Sequence, residues 1–437
     1  MPPMRVTTIL RLSWPVVAAL TAQNAMSLIT IAMVGRLGDA ALAGVAVGGT
    51  LFSTLVATLF GLDTAVQAVV ARKIGARDVP GAASVLADAI PISMLSGMVL
   101  AGLAYTAAPV ILALITGDPD VIAHGTSYLR ALCPTLLFAG AGFAFNAYWN
   151  GRGRPELSLL AILIQLPCNA VFNYGLIFGA FGLPRLGITG AGLGTMLATL
   201  VALAVHVAIA TMVLPVRDVV RRGPTSSGMV HLLRMGLTVS VQQFLLYVGT
   251  SVFFAIVARL GIREVAAINV MIALLLVSIL TATGVGIAAA TLVGQALGRH
   301  DAGDARRWGW QASLIGTLLV APLSLAIVIA PTDTLALFIV DDTTIALAAT
   351  PLRLLALSMC IDTAGRVLVF ALRGAGAAHV PALVSFALQW GVQLPLCWYV
   401  GVALDGGLIG IASVRLMLCI VESAVMAAVW RRHLSAA

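Results

Sequence analysis

Apolar runs of twenty or more residues follow one another almost from end to end of the chain, and no other feature narrows the possible fold as much. A bilayer core about 30 Å thick is crossed by about 20 helical residues, because each advances the chain by about 1.5 Å. In hydrocarbon every backbone N–H and C=O must be satisfied within the protein, and a helix does so locally. Breaking the runs at charged, proline or glycine clusters gives twelve spans, near 9–34, 44–71, 83–108, 127–149, 156–181, 187–214, 230–258, 264–296, 307–331, 344–371, 380–402 and 407–430. No soluble domain fits between them. Only 10% of the 437 residues are charged and 60% are apolar, against roughly 25% charged in a soluble domain. The first run exceeds the core of a signal peptide and lacks a convincing cleavage site, so it is read as an uncleaved span.

The net charge of +8 has two readings, a nucleic-acid surface or membrane topology. The first needs a basic face on a soluble module, and none is present. With a cytoplasmic N-terminus, sixteen Lys and Arg, from Arg5 and Arg11 to Arg431 and Arg432, fall in inner segments, and four, Arg36, Arg185, Arg259 and Arg263, in outer loops. That asymmetry places both termini on the cytoplasmic side of a plasma or inner membrane, bacterial or organellar. The five cysteines lie singly within apolar runs, with no spacing suited to disulfides or zinc. They read as small core residues.

Segments of the chain match at a separation of 223 residues. Arg36-Leu37-Gly38 falls on Arg259-Leu260-Gly261, Gly75 and Asp78 on Gly298 and Asp301, and Gly151 and Gly153 on Gly374 and Gly376. Near the end the separation becomes 220, where Gly187 and Gly190 meet Gly407 and Gly410. The chain is a duplication. Six spans per copy, an even number, bring both copies into the membrane from the same side and relate them by a pseudo-two-fold along the membrane normal. The expected fold is all-α and polytopic: a lobe over 1–214, a cytoplasmic linker over 215–228 and a second lobe over 229–437.

The segments MVGRLGDAALAGV (33–45), VVARKIGARD (69–78) with its echo LVGQALGRHD (292–301), WNGRGRP (149–155), GITGAGLGT (187–195) and FALRGAG (370–376) give the chain a resemblance to the multidrug and toxic compound extrusion family over essentially its whole length. The resemblance implies a two-lobed antiporter that exports cationic or amphipathic compounds by alternating access in exchange for H⁺ or Na⁺, without a cofactor and as a monomer in the bilayer. One branch of the family has acids in its first and fifth helices; the matching positions here are Thr30, Asn169, Asn173 and, in the sixth helix, Thr195, none of which titrates. Another branch has acids in helices 7 and 10. Here the first is Thr250, whereas Asp362 keeps its spacing to the Leu-Arg-Gly motif. The rival reading within transport is a flippase for lipids or polysaccharide precursors. An intramembrane enzyme would need clustered acids, or a nucleophile with its base, and Asp63, Asp88, Asp362 and Glu422 fall on four different spans.

A carboxylate inside a span is costly unless paired, protonated or hydrated, which makes each one a candidate functional group. Asp362 precedes Arg373 by eleven residues, about 16 Å along a helix, and so lies near the midplane. It is the expected principal coupling residue and possible Na⁺ ligand, with Arg366 one turn away as its partner. Asp63, whose repeat equivalent is Gly286, is the second ion-coupling candidate. Glu422 is expected to join Arg415 within the last helix, and Asp88 to be solvated or paired with a loop arginine. Gln242, Gln243 and Tyr247, with Thr30, Asn169 and Asn173, are the candidates for the substrate cleft, since aromatic faces attract organic cations.

Overall fold

The computed structural model describes residues 3–214, 223–339 and 341–433, which are almost entirely helical. Among the described residues twelve helices are long and apolar enough to cross a bilayer. They are α1 (Pro3–Val34), α2 (Asp39–Gly75), α3 (Val79–Ile115), α4 (Pro119–Gly151), α5 (Pro155–Phe178), α6 (Gly187–Val213), α7 (Ser226–Ala258), α8 (Ile262–Gly298), α9 (Ala302–Ile329), α10 (Asp342–Gly374), α11 (His379–Ala403) and α12 (Gly407–His433). Several begin earlier than the apolar runs suggest, because polar caps start a helix before its apolar stretch does. Asp118, for example, accepts from the backbone N–H of Asp120 at 2.9 Å, with Pro119 in the first helical position. A six-residue helix, Pro331–Ala336, was not anticipated, nor were the two π-helical turns of α11, Gln389–Gln393 and Tyr399–Ala403. Linker residues 215–222 lie outside the described residues.

The duplication is written into the backbone. Arg77 and His300, 223 residues apart, both take positive φ, at 61° and 60°; so do Gly153 and Gly376, at 78° and 82°. Asp78 accepts from Gly81 N, and Asp301 from Asp304 N, both at 2.8 Å. At the 220-residue separation Gly187 and Gly407 take φ of 56° and 54°. Gly151 lies against the carbonyl of Gln67, and its counterpart Gly374 against that of Ala290. Lipid tails provide no hydrophobic drive between helices, so close packing at small residues holds such bundles together.

Contacts divide the chain into two compact units, one of Met1–Val17 with Leu245–Ala437 and the other of Ala18–Phe244. In the unit formed by Ala18–Phe244, α4 packs against α2, α3 and α6, and α5 against α6. Its core includes Val66, Leu86, Tyr148, Trp149 and, from the start of α7, Leu232. In the other unit α10 packs against α8, α9 and α12, and Ile9 of α1 enters a core with Val285, Leu292, Val367 and Trp430. Polar contacts fasten both helix starts. Arg5 meets Asp304 at 2.8 Å and lies over the Trp308 ring. Among the described residues Asp88 meets the start of α7, where its Oδ1 accepts from the N–H and hydroxyl of Thr225, at 2.6 and 3.0 Å; the arginines of linker 215–222 lie outside those residues. The amides at a helix start need acceptors and its dipole favours negative charge there, which explains the choice.

Candidate functional site

Four residues matched through the family resemblance meet in the Ala18–Phe244 unit. Asn173 Nδ2 donates to Thr30 Oγ1 at 2.9 Å and to Asn169 Oδ1 at 3.1 Å. Asn169 Nδ2 donates to Thr195 Oγ1 at 3.3 Å, and Thr195 Oγ1 donates to the Ala191 carbonyl. Helices α1, α5 and α6 are thereby joined by a buried chain of neutral groups, which continues one turn on as Gln165 donates to Thr199. Such a chain fixes helix register and cannot change charge. Asn173 Oδ1 is buried without a hydrogen-bond partner.

Among the described acids of this unit Asp63 of α2 lies deepest in the fold, only 4% exposed, and its Oδ1 has no hydrogen-bond partner. The equivalent of Asp63 in the second copy, Gly286, packs against the Phe370 ring. His206 of α6, also buried, stacks on Phe145 at 5.6 Å and reads as a core residue.

Asp362 of α10 does find Arg366, Nε to Oδ2 at 2.5 Å, as its spacing suggested. Its other oxygen is taken by Arg415 of α12 at 3.3 Å, and the Cys419 thiol stands 3.6 Å from that same oxygen. Sequence spacing set Arg415 and Glu422, about 10 Å apart along the axis, in a network within the last helix and left this second arginine out. Glu422 Oε1 instead accepts from Ser385 of α11 at 2.8 Å. The only available signal was the depth of Arg415, a cation too far from either helix end to reach water easily. With a guanidinium on each oxygen, Asp362 is held as a counter-ion, and a sodium ion would have to displace an arginine to bind there. Asp362, Arg366 and Arg415 border a cavity of about 30 Å³ with Ser278, Ile279, Ser358 and Met359. Among the described residues no group of three or more His, Cys, Asp or Glu side chains is placed to hold a metal.

Gln242 is buried and Gln243 half-buried in the Ala18–Phe244 unit, whereas Tyr247, 41% exposed, belongs to the other. There the second half of α7 is tied to the first π-helical turn of α11: Gln389 and Trp390 donate to the carbonyls of Leu246 and Leu245, at 3.2 and 3.3 Å. A π turn rotates the side chains beyond it relative to a continuous α-helix, and such turns are frequent at functional positions.

Comparison with known proteins agrees with this architecture. The MatE family model matches twice, at residues 15–175 and 239–399, once in each copy of the duplication. Probable multidrug resistance proteins NorM of Rhodopseudomonas palustris and Bradyrhizobium diazoefficiens are 30% and 29% identical to the chain. The first match covers 97% of this chain and 90% of that protein, the second 92% and 88%. Among solved structures, MATE in its bent conformation superposes with a TM-score of 0.89 at 20% identity, covering 98% of this chain and 95% of the other. An outward-facing multidrug resistance MATE transporter of the MOP superfamily gives 0.88, covering 99% and 96%. Twelve membrane-crossing helices, a two-fold internal repeat and a family match in each copy make this chain a member of the MATE family of multidrug and toxic compound extrusion transporters.

Proposed function

We propose that the chain exports amphipathic organic compounds from the cytoplasm in exchange for protons, with Asp63 binding and releasing the coupling proton and both termini cytoplasmic. The export reading draws on the NorM relatives, named as multidrug resistance proteins and aligned over nearly the whole chain. The coupling reading is carried by one observation: Asp63 has a buried oxygen without a hydrogen-bond partner, inside a bundle whose other matched positions are neutral. A carboxylate so placed gains from acquiring a positive charge. One oxygen suffices for a proton, whereas a sodium ion needs several oxygens around it. Asp362, expected from sequence to be the principal coupling group, is already neutralised by two arginines. Its role in this proposal is to hold α10 to α12.

The exchange follows from competition for conformations. With Asp63 ionised, states that hydrate its carboxylate are favoured; with Asp63 protonated, states that bury it become accessible. A proton taken up from one side and released to the other thereby drives the exporter through its cycle. Gln243 and Tyr247, one turn apart on α7, supply amide and aromatic surface suited to an amphipathic cation. Purified protein in proteoliposomes with an imposed pH or Na⁺ gradient tests the reading. A pH gradient alone should drive dye efflux, and Asp63→Asn should reduce it to background while inserting normally. Efflux driven by Na⁺ at fixed pH, or unimpaired in Asp63→Asn, would overturn the assignment.

A further inference from the structure

We propose that the cavity between α8, α10 and α12 is an anion site, in which Arg366 and Arg415 bind a small carboxylate, free or carried by an exported amphiphile. The cavity's polar groups are donors in excess. The guanidiniums of Arg366 and Arg415 together offer ten N–H groups, and Asp362 engages one nitrogen of each. The two hydroxyls on the wall are committed, Ser278 to Thr363 at 3.1 Å and Ser358 to the Leu355 carbonyl at 2.7 Å. Ile279 and Met359 complete an apolar surface. What such a lining lacks is a second negatively charged acceptor beside Asp362, one for each guanidinium, and the fork of an arginine fits a carboxylate bidentately.

Charge balance is consistent with this. Asp362, Arg366 and Arg415 border the cavity with a net charge of +1. Glu422 acts on both guanidiniums through space, yet it is turned to Ser385 and does not border the cavity. Arg373, farther along α10, lies over the Phe370 ring at 5.1 Å. A cation entering the cavity would meet two guanidiniums, whereas an anion would compete with Asp362 for them. The volume of about 30 Å³ admits a carboxylate group or one or two waters and no more. Any larger ligand must present its carboxylate there and leave the rest outside. Asp362 is then a built-in competitor, which makes a prediction that a purely structural ion pair does not: removing it should strengthen anion binding.

The test is calorimetric titration of the purified full-length protein with sodium formate and choline formate, with gluconate salts as the bulky-anion control. Equilibrium heats are read without transport, so this experiment succeeds or fails independently of the export reading. Formate should bind saturably near a Kd of about 1 mM whichever cation accompanies it, about tenfold more weakly in Arg415→Gln and about tenfold more tightly in Asp362→Asn. Absence of saturable formate binding, affinity unchanged in Arg415→Gln, or heat that follows Na⁺ with the anion held constant would overturn the proposal. Should Asp362→Asn not survive purification, Arg366→Lys decides. It keeps the charge but loses the fork, so formate affinity must fall, and an unchanged affinity refutes the site. Vesicle efflux then separates the two sources of carboxylate, using rhodamine B, which has a free carboxylate, and rhodamine 6G, in which it is esterified. Competition by formate against rhodamine B alone assigns the site to a transported compound. Binding without effect on either dye assigns it to a free anion.

Discussion

An acid held between two arginines behaves differently from a lone acid at the same depth, and the two units of this protein supply one of each. Asp362 has a guanidinium on both oxygens, whereas Asp63 has a buried oxygen with none. Arg415→Gln would leave Oδ1 of Asp362 without its charged donor. We expect a loss of roughly 1–3 kcal/mol, read as a lower thermal unfolding midpoint in detergent. Outside the membrane, Asp341 caps the start of α10, and hydrogen bonds from Thr344 and then Thr343 lower its carboxyl pKa to about 2. Its folded pKa thus lies below the ordinary value of an aspartate, about 3.9. The capping contribution is therefore fully present above about pH 4 and is lost as pH falls through about 2. Asp341→Ala should unfold at lower temperature than the wild type at pH 6, and the gap should close as the pH approaches 2. A gap that persists there would mean that the cap acts without its charge.

At the scale of helices, glycine decides how closely two elements approach. Gly151 and Gly374 occupy equivalent places, each against the backbone carbonyl of a helix two elements earlier, so an added methyl group would meet backbone, which cannot rotate away. Each Gly→Ala change should cost roughly 1–3 kcal/mol in thermal unfolding, the larger loss at Gly374, where the added carbon would meet three backbone atoms of Ala290, whereas at Gly151 two of its three nearest atoms belong to the Val70 side chain. Gly102→Ala and Gly142→Ala are the controls, because nothing lies within 4 Å of the added carbon at either. Both should be neutral or stabilising by up to about 1 kcal/mol, as glycine is a poor helix former. A larger cost at 374 than at 151 would express that difference in packing energetically. Equal costs would show that the backbone at Gly374 gives way to the added carbon.

Across the whole molecule, the boundaries of the compact units differ from those of the duplication. Residues up to Val17 pack with Leu245–Ala437, and α7 up to Phe244 packs with the chain from Ala18 onward. Each sequence half thus lacks a helical segment that its compact unit contains, including Ile9 in one core and Leu232 in the other. Residues 1–222 or 223–437 expressed alone should therefore be degraded or aggregate, while co-expression should recover a stable complex in size-exclusion chromatography. A half-chain that folds alone would show these segments to be dispensable.

The twelve helices and the duplication were legible in the order of the amino acids alone. Those properties are local: hydropathy is integrated over about 20 residues, and caps and glycines act within a turn or two. Spacing along the chain also placed Arg366 beside Asp362, because i and i+4 share a helix face. Helix packing alone shows that Arg415, 53 residues away on α12, takes the other oxygen of Asp362, and that Asp88 caps α7 across 137 residues. It alone assigned the first parts of α1 and α7 to their units and rotated α11 through two π-helical turns. Which side chains meet across helices depends on the rotation and axial register of each packed pair. An error of one residue turns a helix by about 100°, so periodicity read along one strand of sequence cannot specify a partner on another.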